Sequence, residues 1–220
     1  MDIDIQGKPS FAYVHIDLAP GESVTAESDA MSSMSAEVTL KTSFNGGFLR
    51  ALLKKVFGSE TLFVNTFSNP TSTPQRVTLT QPYPGDIGVL ELKGDSKCLE
   101  PGTFIAATPG VDLKVRWAGF ASWFSGEGLF KLVVAGEGTV FYGAYGALVE
   151  REVEGALLVD TGHLVAYDPQ LKLTVQLAGG IFSSFFGGEG FVLRVEGEGK
   201  VILQTRNVSA LTSWLNARLR

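Results

Sequence analysis

One cysteine, two histidines and no excess of positive charge are what this 220-residue chain has little of. Cys98 alone cannot close an intramolecular disulfide or build a thiolate metal cage. That usage fits a reducing compartment. With 18 Lys and Arg against 23 Asp and Glu, the net charge is −5, so no nucleic-acid partner is expected. No run of 18 uncharged apolar residues occurs, so no transmembrane helix is expected. The opening MDIDIQGKPSFAYVHIDL has acids where a signal peptide carries bases, and it lacks an apolar run. The expected chain is soluble and cytoplasmic, with peripheral attachment to a membrane left open.

What is there is repetition. A turn dipeptide after a short apolar run occurs three times: Pro20-Gly21, Pro101-Gly102 and Thr161-Gly162. A small residue, a glutamate and an apolar strand then follow, in GSETLFV, SGEGLFKLVV and GGEGFVLRV. A closing G-E-G-x-V appears at Gly136–Gly138 and Gly197–Gly199, while QRVTLTQ at 75–81 takes that place in the first copy. Gly102 to Glu127 is 25 residues and Gly162 to Glu189 is 27, but Gly21 to Glu60 is 39, so copy one carries an insertion. Ordered landmarks at similar intervals point to three copies of one unit.

Between landmarks the apolar residues alternate, as in VDLKVRW and LKLTVQL, and turn signals recur about every ten residues. This predicts an all-β fold of sandwich or barrel modules with pseudo-repeat symmetry. The G-E-G triplets read as turns or bulges that let strands bend. One or two short helices are expected: FLRALLKKVF at 48–57, and the tail with Val208, Leu211, Leu215 and Leu219 on one stripe. The predicted organisation is a β module over 1–95 with a helical insertion near 44–57. A second β part over 96–206 holds two further copies, and a helical tail covers 207–220.

Each copy also carries large aromatics among small residues. They are Phe44, Phe48 and Phe57; Phe120, Trp123 and Phe124; and Phe182, Phe185 and Phe186. Burying such a side chain gains about 1.5–3 kcal/mol, so nine of them exposed together are untenable in a soluble monomer. The core, a subunit interface, or a lipid or partner surface can each bury them. Glycine-flanked apolar loops favour a contact surface. The candidate interaction surface is therefore Phe48, Phe57, Phe120, Trp123, Phe124, Phe182, Phe185 and Phe186. Glu60, Glu127 and Glu189 recur beside these aromatics. Rings of them in a trimer would bind cations or take up protons, while the plainer reading is a polar residue where a loop re-enters a strand.

The order of P-G-E-S, G-E-x-x-F, G-E-G-x-V and V-D-x-G-H-L-V-A at 159–166 resembles bacterial and archaeal relatives of the "altered inheritance of mitochondria" family, over about residues 5 to 205. The resemblance implies a duplicated, short double-stranded β-helix, like the fold of the tryptophan RNA-binding attenuation protein. It also implies a homotrimer or another ring. The mitochondrial relatives are associated with inner-membrane organisation. The family supplies no catalytic residues to carry over, and the tail from about Val208 has no counterpart in its pattern.

Catalytic motifs are scarce. Neither G-x-S-x-G nor a P-loop occurs, and Cys98 has no histidine near it in sequence. His15 and His163 are too few for a typical cupin metal site, so no metal or cofactor is expected. The expected function is a non-enzymatic oligomeric β-scaffold, a trimer above other assemblies, docking through its aromatic loops. One alternative is a peripheral membrane protein with the loops and the 48–57 segment in lipid. The other is a cupin-like metal or small-molecule site.

Overall fold

Alternation along YVHIDL folds as β2 (Tyr13–Leu18), with Val14, Ile16 and Leu18 buried and Tyr13, His15 and Asp17 half-buried between them. The same logic runs through the chain. The computed structural model describes residues 1–44, 63–117, 130–177 and 191–219. Around β2 stand β1 (Asp2–Gln6), β3 (Ser23–Glu27), β4 (Met31–Met34) and β5 (Thr39–Phe44). The next described stretch holds β6 (Phe63–Ser68), β7 (Gln75–Leu79), β8 (Ile87–Leu99), β9 (Phe104–Ala107) and β10 (Val111–Trp117). It is followed by β11 (Phe130–Gly143), β12 (Leu148–Asp160), β13 (Leu164–Tyr167) and β14 (Lys172–Leu177). Last come β15 (Phe191–Gln204) and a helix, α1 (Val208–Asn216).

The fold is all-β, and α1 is the one helix among the described residues. The helix predicted over 48–57 lies outside them. Every strand pairing is antiparallel. Four strands form one sheet in the order β1-β2-β7-β4. Eleven form the other, along β12-β15-β13-β8-β11-β9-β3-β6-β5, with β10 on β11 and β14 on β15.

Chain order recurs in the pairing. β8 lies along β11, β12 along β15, and β2 along β7. β10–β11, β14–β15 and β5–β6 are each neighbours in sequence and in the sheet. One cluster of buried residues joins Val14, Ile16, Phe67 and Leu79 to Ile87, Ile105, Ala106 and Phe141. A second is built around Leu99, Phe104, Val134 and Val140, and a third around Val153, Leu193, Val195 and Val201. The predicted division at residues 95 and 96 falls inside β8.

The G-E-G triplet at 136–138 is a bulge. The register of β11 against β8 shifts between Ala135 and Glu137. There the Glu137 N–H donates to the Gly110 carbonyl at 3.1 Å. Gly136 has φ 114°, and a Cβ on it would lie 2.3 Å from the Gly110 carbonyl oxygen. Only glycine meets both demands. Gly136→Ala is expected to cost about 1–3 kcal/mol, read as a lower urea midpoint at unchanged slope. An unchanged midpoint would mean that the two backbones do not cross this closely.

Candidate interaction surface

Three hairpins position the sequence-predicted surface. The ladder of β5 and β6 runs up to Phe44 opposite Phe63. That of β10 and β11 runs to Trp117 opposite Phe130, and that of β14 and β15 to Leu177 opposite Phe191. The aromatic segments of the three copies are the connections between these paired strands. Phe48, Phe57, Phe120, Trp123, Phe124, Phe182, Phe185 and Phe186 all lie outside the described residues, as do Glu60, Glu127 and Glu189. The strands leading into the connections are described, and each hairpin exposes a large apolar side chain. Leu40 on β5 is 44% exposed, Val115 on β10 43% and Phe191 on β15 39%. Opposite Leu40 and Val115 stand Phe67 and Leu132, both buried.

Among the described residues β5, β10 and β14 each pair with one neighbour only. An open strand edge invites association, and charged side chains along it discourage the wrong kind. Lys41, Lys114, Arg116 and Lys172 stand on these three strands. The other end of the long sheet is β12, which pairs with β15 alone among the described residues. Its exposed positions include Glu150, Arg151, Glu152 and Glu154, with Val153 buried between the last two. Lys200 on β15 approaches two of them, at 2.7 Å from Glu150 and 3.9 Å from Glu152.

A hydrogen-bonded clasp occurs twice behind the hairpins. The Thr139 N–H donates to Thr108 Oγ1 at 2.8 Å, and the Thr108 N–H returns to the Thr139 carbonyl at 2.9 Å. The Lys200 N–H donates to Asp168 Oδ2 at 2.8 Å, and the Asp168 N–H returns to the Lys200 carbonyl at 3.0 Å. Asp168 additionally binds the Lys97 ammonium. Burial pushes the Asp168 carboxyl up. The Lys97 ammonium and the Lys200 N–H outweigh it, and the group stays below its ordinary range.

The two histidines serve separate sheets. His15 Nδ1 is 2.9 Å from Thr78 Oγ1, across the β2–β7 pair. His163 Nδ1 donates to the Gln204 carbonyl at 2.7 Å, because a carbonyl can only accept. Its Nε2 stands 3.5 Å from Asp160 Oδ2. Among the described residues no three of His, Cys, Asp and Glu are grouped to hold a metal ion. Cys98 is buried, and that burial raises its thiol above the usual range. Burial favours the protonated thiol over the reactive thiolate.

The exposed apolar residues on the strands that lead into the aromatic connections are not among those the sequence singles out. The exposed Val115 is one of the alternating positions of VDLKVRW and stands opposite the buried Leu132, but alternation does not say where along a strand the cover ends. The helix predicted in the tail is present as α1. Asn207 caps it, its Oδ1 accepting from the N–H groups of Ser209 and Ala210 at 2.8 and 3.3 Å. Asn207 Nδ2 donates to the Thr161 carbonyl at 2.8 Å, tying the helix start to the turn between β12 and β13. No residue of α1 is buried. No helix among the described residues is long and apolar enough to cross a membrane.

Comparison with known proteins places this geometry. The model of a family described as mitochondrial biogenesis AIM24 matches residues 3–206. An uncharacterized protein of Streptococcus pyogenes serotype M6 is 26% identical over 228 aligned positions, covering 100% of this chain and 91% of its own length. A crystal structure of a Streptococcus pyogenes protein from a structural genomics consortium superposes with a TM-score of 0.79 at 26% identity, covering 99% of each chain.

Proposed function

The chain belongs to the mitochondrial biogenesis AIM24 family, and from that membership we propose a non-enzymatic β-scaffold that assembles with copies of itself through its three aromatic hairpin connections. The observation that carries this reading is the exposure of Leu40, Val115 and Phe191 on the three hairpins that lead into those connections. Isolated exposed apolar residues are ordinary, but here one recurs on each of the three hairpins whose connections carry the aromatics.

Threefold repetition within the chain supports the ring-like form. The Thr108–Thr139 and Asp168–Lys200 clasps are separated by about the same 60 residues as Gly102 and Gly162. This favours duplicated modules in a short double-stranded β-helix, with module limits at the turns before β8 and β12 rather than within β8. The proposed assembly is a trimer, held in the cytoplasm or at a membrane periphery.

The test is native mass by light scattering. The expected value is near three times 23.5 kDa, and Trp123→Ala with Phe124→Ala is expected to shift it toward the monomer. A stable, folded monomer of the unaltered chain at micromolar concentration would sink the proposal.

A further inference from the structure

Helix α1 lies beyond the family match, which ends at residue 206. Its start is tied to the sheets through Asn207. From there the apolar side chains are unspent. Leu211 is 39% exposed, Trp214 53%, Leu215 38% and Leu219 79%. Leu211, Trp214 and Leu215 share one side of α1, and Leu219 follows beyond the helix end, its N–H donating to the Leu215 carbonyl at 3.0 Å. A soluble helix that packs on its own domain would bury this stripe, and α1 buries none of its residues.

Charge selects the occupant. Three arginines, Arg206, Arg218 and Arg220, fall between 206 and 220, where no aspartate or glutamate occurs. The rest of the chain holds 15 basic residues against 23 acidic ones, so the segment 206–220 is a cationic element on an acidic protein, with its arginines on either side of α1 rather than in it. The Arg218 guanidinium lies over the Trp214 ring, 4.0 Å from its centroid. An indole with a cation at its side, next to leucines, suits the boundary between headgroups and acyl chains. Acidic lipid headgroups are the complementary charge.

A protein partner fits less well. A stable protein interface takes about 800 Å² and 20–30 residues from each side, and α1 with its flanks offers about a dozen residues. A bilayer needs no matching shape and accepts each apolar side chain separately.

We infer that α1 with its flanks is an interfacial membrane element, which seats Leu211, Trp214, Leu215 and Leu219 in the acyl boundary of an anionic bilayer and sets the flanking Arg206 and Arg218 at the phosphates. The inference stands apart from the self-assembly reading, because α1 carries none of the hairpin aromatics.

Flotation of the full chain with vesicles tests it. Phosphatidylcholine with 30% phosphatidylglycerol is compared with phosphatidylcholine alone, for the unaltered chain, Leu211→Gln with Leu215→Gln, and Trp123→Ala with Phe124→Ala. Gln is a good helix former and both leucines are exposed, so the fold is retained, and circular dichroism checks it. The expected result is binding to the anionic vesicles that falls at least tenfold on neutral ones, and at least tenfold in the Leu211/Leu215 variant. The Trp123/Phe124 variant is expected to bind as the unaltered chain does, whatever its native mass. Three results would each overturn the inference: no flotation of the folded chain at any lipid concentration, undiminished binding by the Leu211/Leu215 variant, or a fall in native mass of that variant in the absence of lipid. The last would assign α1 to a second copy of the chain.

Discussion

Phe141→Ala is expected to destabilise the fold by about 3–5 kcal/mol, the range for emptying a buried aromatic site. Phe141 stands on β11 opposite Val89 of β8 and Ala106 of β9, and none of its surface is exposed. Its cluster reaches back to Val14, Ile16 and Val24 and includes Phe67 and Leu79. The cavity would therefore be shared between strands from the first 80 residues and strands from the middle of the chain. Urea unfolding followed by both fluorescence and circular dichroism is the measurement. We expect one transition, displaced to a lower midpoint and coincident in both signals. Two separated transitions would show that residues before β8 form a unit that stands without Phe141. A loss below about 1 kcal/mol would mean that neighbouring side chains collapse into the space.

Asp168→Ala is expected to cost about 2–4 kcal/mol. The carboxylate is 13% exposed and its partner Lys97 24%, and removing one member of a mostly buried pair strands the other charge. The variant also leaves the Lys200 N–H without its acceptor. Asp168→Asn is expected to cost less, since an amide oxygen can still accept from that N–H. Because the folded carboxyl is held below its ordinary value of 3.8, its contribution is complete above that pH and is lost as the pH falls through and beneath it. The gap between the unaltered chain and Asp168→Asn should therefore be widest near neutrality and shrink below pH 4. A gap that stays constant from pH 7 to pH 3 would show that the Lys97 pairing does not set the carboxyl's affinity for protons.

Local pattern made the strands legible and left their partners hidden. YVHIDL, VDLKVRW and KLTVQL alternate, and each is a strand. The P-G and T-G dipeptides mark the turns after β2, β8 and β12, and Gly136-Glu137-Gly138 marks a bulge. The stripe of Val208, Leu211, Leu215 and Leu219 marked the final helix, which ends at Asn216. The four-stranded sheet was not legible. It places Met34 of β4 opposite Val77 of β7, and register between segments so far apart depends on the whole core rather than on either segment. Nor could the sequence separate covered from uncovered faces. Leu40, Val115 and Phe191 occupy positions that look like core until the neighbouring strands are counted. The aromatic candidates themselves fall in the connections outside the described residues, so the structure bears on them only through the hairpins they join.

The exposed glutamates on β12 bear on how a further strand would meet that edge. A second sheet adding to that edge would bring its own β12 alongside at about 4.8 Å, setting glutamate against glutamate along the seam, and like charges directly opposed weaken a pair. Addition of a further strand is thereby disfavoured at the glutamate positions of β12, between two of which Arg151 stands. Charge at that edge thus weighs against open-ended growth of the sheet.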